Sequence, residues 1–211
     1  MKVHSVAICF AFVLLIVGML PTAASAAAIS PIGATSSAPL IYGSTLAKGY
    51  DGLLIDPTSF VAIGSENGGV FNGPYTVKFD LGLGLGLGYD LTAFDLWNNG
   101  GNTASDGEGV RDFTLTFYNP SSAQVGSVVG FNGASDTFPM QTFSFAAVSN
   151  VKTVDFTITS NALSATVPSV LFSEVKFEGS AVPPIPVPGA LLLAAIGTAG
   201  VGGLRRFRNA M

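Results

Sequence analysis

Along the middle of the chain, apolar and polar residues take turns. Tyr75, Val77 and Phe79 alternate with Thr76, Lys78 and Asp80, and Phe113, Leu115 and Phe117 with Asp112, Thr114 and Thr116. Val154, Phe156 and Ile158 alternate with Asp155, Thr157 and Thr159; Phe143 and Phe145 flank Ser144; Val175 and Phe177 alternate with Glu174 and Lys176. Successive side chains of a strand point to opposite faces, so a period of two predicts strands with one buried and one wet face. Turn residues separate the runs at Asn72-Gly73-Pro74, Asn98 to Asn102, Asn119-Pro120, Asn132-Gly133 and Ser160-Asn161. No helical period persists between the termini. The pattern predicts an all-β body, a single antiparallel β-sandwich of the jelly-roll kind.

The two ends break the pattern. Lys2 and His4 precede an uncharged apolar run from Val6 to Leu20, Pro21 ends it, and Ala24-Ser25-Ala26 offers the small residues a signal peptidase accepts. Residues 1–26 therefore read as a signal peptide, with an uncleaved N-terminal anchor as the competing reading. At the other end, Val182-Pro183-Pro184-Ile185-Pro186-Val187-Pro188-Gly189 leads into the uncharged stretch Ala190 to Leu204, then Arg205, Arg206 and Arg208. Those 15 residues would span about 23 Å as a helix, and counting from Val187 approaches the hydrocarbon thickness of about 30 Å. The arginines would keep the tail cytoplasmic and everything before it outside. This assigns 181–189 to a spacer, 190–204 to a short transmembrane helix and 205–211 to a basic cytoplasmic tail.

Composition sharpens this division. Only 10% of the 211 residues are charged. The single Cys (Cys9) and single His (His4) both lie in the signal. A mature chain without them has no disulfide, no Cys/His zinc site and no Cys-His or Ser-His nucleophile. All 13 acidic residues fall between 27 and 181, against Lys48, Lys78, Arg111, Lys152 and Lys176, a formal charge of −8 that disfavours nucleic acid. Sixteen phenylalanines suit a core that joins two sheets by buried area alone. Residues 27–40 are mostly small and are expected to be a mobile lead-in, with the sandwich over 41–180. The Leu-Gly alternation from Leu81 to Gly88 reads as a strand end or loop; a flexible arm with one sticky face is the alternative.

The C-terminal arrangement resembles the PEP-CTERM class of bacterial sorting signals, in its VPLPA-type variant. Pro186, Val187, Pro188 and Gly189 carry the motif, with Arg205, Arg206 and Arg208 closing it; Val187 stands where the namesake form has Glu. The resemblance covers roughly the last 30 residues. It implies an exosortase-type membrane enzyme as partner, removal of the tail, transient anchoring in the inner membrane, and delivery to the surface or extracellular matrix of a Gram-negative bacterium. A permanent single-pass anchor is the alternative.

The body resembles the galactose-binding-domain-like jelly roll of discoidin and coagulation-factor C-terminal domains. The residues that carry this are Tyr50-Asp51-Gly52, the strand and DLG turn Val77-Lys78-Phe79-Asp80-Leu81-Gly82, Tyr89 to Asn98, Gly109-Val110-Arg111-Asp112-Phe113, and Phe172-Ser173-Glu174-Val175-Lys176-Phe177-Glu178-Gly179. Such domains often pack a Trp after the position of Asp56; here Phe60 would have to serve. The resemblance implies that one structural calcium could sit between an early loop and the last strand, at Asp51 or Asp56 and Glu174, with backbone carbonyls completing its oxygen shell. Solvated surface acids are the alternative.

The richest loop runs from Leu96 to Gly109 and joins the only Trp to amides, hydroxyls and carboxylates. A flat aromatic beside hydrogen-bonding groups suits a sugar ring, so Trp97, Asn98, Asn99, Asp106 and Arg111 are the candidate ligand-binding residues. A Trp97 that caps the sandwich, and an Arg111 paired with Asp112, are the structural alternatives. No catalytic residues are expected: a glycosidase needs two carboxylates about 5–9 Å apart in a cleft, and nearly every acid here sits in a turn or on an alternating polar face. The expectation is an exported, non-catalytic surface or matrix protein that binds exopolysaccharide through its end loops. The alternatives are a purely structural matrix protein and a secreted glycan hydrolase.

Overall fold

A computed structural model describes residues 26–52, 60–65, 69–82, 87–98, 108–132, 134, 140–162 and 167–182. Its strands are β1 (Ala27–Ile29), β2 (Gly33–Ser36), β3 (Val61–Ile63), β4 (Tyr75–Asp80), β5 (Tyr89–Asn98), β6 (Val110–Tyr118), β7 (Gln124–Phe131), β8 (Gln141–Val151), β9 (Thr153–Asn161) and β10 (Val170–Ala181). They form two antiparallel sheets. One has the order β1-β10-β5-β8, with β3 also paired to β10; the other has the order β2-β4-β9-β6-β7. The expected all-β sandwich is what the chain forms.

The alternation seen in the sequence is the alternation of burial. Val77, Phe79, Phe113, Leu115, Phe117, Val154, Phe156 and Ile158 are at most 1% exposed. Among the described residues, seven phenylalanine rings are fully buried: Phe94, Phe172 and Phe177 from the first sheet, and Phe79, Phe113, Phe117 and Phe156 from the second. Phe94 stands at their centre, 5.1 Å from Phe156, 5.3 Å from Phe177 and 5.5 Å from Phe113, ring centre to ring centre. Each buried ring contributes about 2 kcal/mol through removal of apolar area from water.

The N-terminal stretch corrects the sequence reading. Residues 27–36 are not a loose lead-in but two strands. Ala27–Ile29 pair with Gly179–Phe177, and Gly33–Ser36 pair with Asp80–Val77. Small residues without alternation carry little strand signal of their own. Here the open edges of β10 and β4 supply the hydrogen bonds that make them strands. Among the described residues the sandwich therefore begins at Ala27.

Strand direction gives the sandwich two distinct ends. At one, β5 and β9 finish while β6 and β10 start, as the pairs Asn98–Phe172 and Val110–Asn161 show. At the other, Ala27 lies beside Gly179, Tyr89 beside Ala181 and Asp80 beside Thr153. Ala26 and Val182, the first and last described residues, adjoin the strands at this second end. Among the described residues no helix is long and apolar enough to cross a membrane. The signal segment before Ala26, the sorting motif at 186–189, the apolar stretch 190–204 and the three tail arginines lie outside the described residues.

Candidate ligand-binding end of the sandwich

The end away from the termini is built by side chains that pin the stems of loops. Asn98 closes β5 and is fully buried. Its Nδ2 donates to the Val110 carbonyl at 2.6 Å, and the Val110 N–H donates back to its Oδ1 at 2.8 Å. This two-way bond ties β5 to β6 across the two sheets. Glu108, at the far stem of the same loop, accepts from Ser169 Oγ at 2.9 Å, while its carbonyl accepts from the Leu171 N–H at 2.8 Å. Asn161 does the same for the β9–β10 connection, donating to the carbonyls of Ser169 at 2.6 Å and Val167 at 2.9 Å. Tyr75 adds a fourth clip, its hydroxyl lying within hydrogen-bond reach of the Pro168 carbonyl at 2.9 Å and of the Asn72 side chain. Burial pushes the Tyr75 phenol above the usual tyrosine value, and the contact with Asn72 opposes the shift.

The expected site residues divide under this geometry. Asn98 is spent on the Val110 clip, so it holds the loop rather than a ligand. A polar residue at the end of a strand looks the same in sequence whether it faces solvent or caps a neighbour. Asn99 and Asp106 lie outside the described residues. Arg111 is exposed on β6, and the neighbouring Asp112 accepts from Ser160 Oγ at 2.5 Å. Trp97 points away from the core face of Phe94 and Leu96, half-buried on the outer face of the first sheet and cross-strand from Glu174. Trp97 and Arg111 thus share an end but belong to opposite sheets.

The three expected calcium ligands do not assemble among the described residues. Asp51 is exposed, Asp56 lies outside them, and Glu174 is 1% exposed. No group of three His, Cys, Asp or Glu residues converges among the described residues. The Glu174 carboxylate faces an internal cation instead, the Lys176 ammonium at 3.1 Å.

Sequence reasoning passed over several groups at this end. Asn161 reads as a turn residue, Glu108 as part of the Leu96–Gly109 loop, and Ser169 carries no signal in the sequence, yet all three anchor the loops; only their places just outside alternating runs hinted at this. Tyr42 is 51% exposed and holds a left-handed backbone (φ 54°), which a bulky residue seldom adopts. It is an aromatic surface presented on the same end, since Leu40 and Ile41 are bonded to Ile63 and Ala62 on β3. Phe60 packs with Ile41, Ala62 and Leu171 outside the main core, under the Lys48 ammonium 5.8 Å from its ring centre.

The arrangement of the strands is found in solved sugar-binding domains. The family 32 carbohydrate-binding module of NanJ from C. perfringens, in complex with galactose, superposes with a TM-score of 0.55 at 11% identity, over 72% of this chain and 98% of that one. A mutant of the lectin-binding domain of lectinolysin complexed with Lewis b gives 0.52 at 16% identity, over 72% and 95%. A fucose-binding module of Streptococcus pneumoniae gives 0.52 at 12%, over 75% and 98%. This chain shares their fold. No protein-family model matches it, and no curated protein matches it in sequence.

Proposed function

We propose that the protein is an exported, non-catalytic surface or matrix protein whose sandwich binds polysaccharide at the end opposite its termini. One observation carries this reading. The chain builds a rigid end out of clipped loop stems, with the exposed Tyr42 and Arg111 there, on a fold it shares with domains solved with sugars bound. Aromatic faces and hydrogen-bonding arginines are what a sugar ring needs, a flat apolar surface and a donor to its hydroxyls. The site then faces away from the point where the body would be tethered. The described carboxylates at this end are engaged, Glu108 with Ser169, Asp112 with Ser160 and Glu174 with Lys176. That favours binding over hydrolysis.

In this reading the export route is that of the PEP-CTERM resemblance: signal cleavage, a short-lived inner-membrane anchor, and exosortase-type removal of the tail. Mass spectrometry of the native protein tests it. A C-terminus between Pro183 and Gly189 supports sorting, and an intact Met211 means a lasting anchor. A glycan array followed by calorimetry tests the binding half. Saturable binding that Arg111→Ala and Tyr42→Ala each weaken supports it; a blank array leaves the purely structural matrix role, for which deletion of Leu81 to Gly88 should abolish assembly.

A further inference from the structure

Glu174 is the deepest-buried acid among the described residues, and neither carboxylate oxygen accepts a hydrogen bond. A buried charge in that condition is costly unless a counter-charge lies against it. Its counter-charge comes from two residues along β10. Alternation puts Glu174 and Lys176 on the same outer face, and the Lys176 ammonium lies 3.1 Å from the Glu174 carboxylate. The same ammonium stands 5.1 Å from the centre of the Trp97 ring, inside the roughly 6 Å over which a cation is drawn to an aromatic face. The register completes the block: Trp97 lies opposite Glu174, and Asp95 opposite Lys176. Asp95 is itself nearly buried and accepts from Thr142 Oγ1 at 2.7 Å.

We propose that Lys176 is a built-in counter-cation, seated between Glu174 and the face of Trp97, which does at the start of β10 the work a bound calcium would otherwise do. Two consequences follow. The fold needs no divalent ion at Glu174, because the carboxylate already holds a positive charge that the chain carries with it. Trp97 is committed to holding the ammonium, so the ring face that Lys176 covers is not open to stack a sugar. The inference stands apart from the polysaccharide reading, which rests on other residues of that end.

The chain has a single tryptophan, so its fluorescence reports this block alone. The full chain is melted, and its emission recorded, in EDTA and in millimolar calcium. The wild type should give the same melting temperature and spectrum in both. Lys176→Met should lower Tm by about 5–10 °C and shift the Trp97 emission. Lys176→Arg should recover most of both, and so should the double change Glu174→Gln with Lys176→Met, which leaves neither charge alone. A saturable rise in wild-type Tm with calcium would overturn the proposal, as would a Lys176→Met protein that matches wild type in both readouts. If Lys176→Met does not fold, the double variant decides: folded, it supports the pairing; unfolded, it refutes it.

Discussion

The two ends of the sandwich are closed by different chemistry. At the loop end, buried and half-buried side chains do the closing: Asn98 on Val110, Asn161 on Val167 and Ser169, Glu108 on Ser169, Tyr75 on Pro168. At the end that holds Ala27 and Ala181 the bonds are mostly between backbones or short and local. Leu81 N–H donates to the Lys152 carbonyl, Val182 N–H to the Gly88 carbonyl, and Gly82 N–H to Asp80 Oδ1 at 2.9 Å in the DLG turn. Such a turn needs only Gly82 at its left-handed φ of 80° and an Asp two residues earlier. A clipped end holds loops in fixed positions; a turned end only reverses the chain. The difference is one of construction: side chains pin the loop stems at one end, and local turns close the other.

This contrast can be broken from its strongest point. Asn98→Ala leaves the Val110 N–H and carbonyl buried without partners, and should cost about 2–4 kcal/mol in urea unfolding. Asp80→Ala, at the other end, removes one half-buried turn bond and should cost about 1 kcal/mol or less by the same measurement. Equal costs would erase the distinction. Tyr75→Phe should cost about 1 kcal/mol at neutral pH and carries a pH signature. Because the native phenol holds its proton more tightly than the unfolded one, its contribution is intact below about pH 10 and is lost as pH rises through the native value. The wild type should lose stability more steeply than Tyr75→Phe on an alkaline denaturation curve. The smallest effect on stability belongs to Tyr42→Ala and Arg111→Ala, within about 0.5 kcal/mol of wild type, while sugar binding by calorimetry falls roughly tenfold.

The central strands were legible because burial and period agree in them. Phe113, Leu115 and Phe117 could face inward in only one register, and the DLG turn after Phe79 announced its own geometry. β1 and β2 were hidden because their strand character resides in β10 and β4, which lend them partners, not in Ala27-Ala28-Ile29 or Gly33 to Ser36. The site was harder to read for a related reason. Trp97 and Asn98 are residue types that suit a ligand and suit a structural clip equally well. Only the pairing of β5 with β10, and the approach of Val110, showed which partners each had met. Glu174 and Lys176 looked like the wet face of a strand; the cross-strand neighbours Trp97 and Asp95 enclose them.

The position of β10 has a mechanical consequence. It is twelve residues long, lies inside its sheet between β1 and β5, and leads directly to Val182, the last described residue. A pull on the loop end, resisted at that residue, runs along β10 and loads its ladder with β5 in shear, so many bonds must fail together. A pull that separates the two termini instead peels the three-residue β1 away one pair at a time. A body hung by its C-terminal side alone would thus hold against drag where one stretched between both ends would begin to fray.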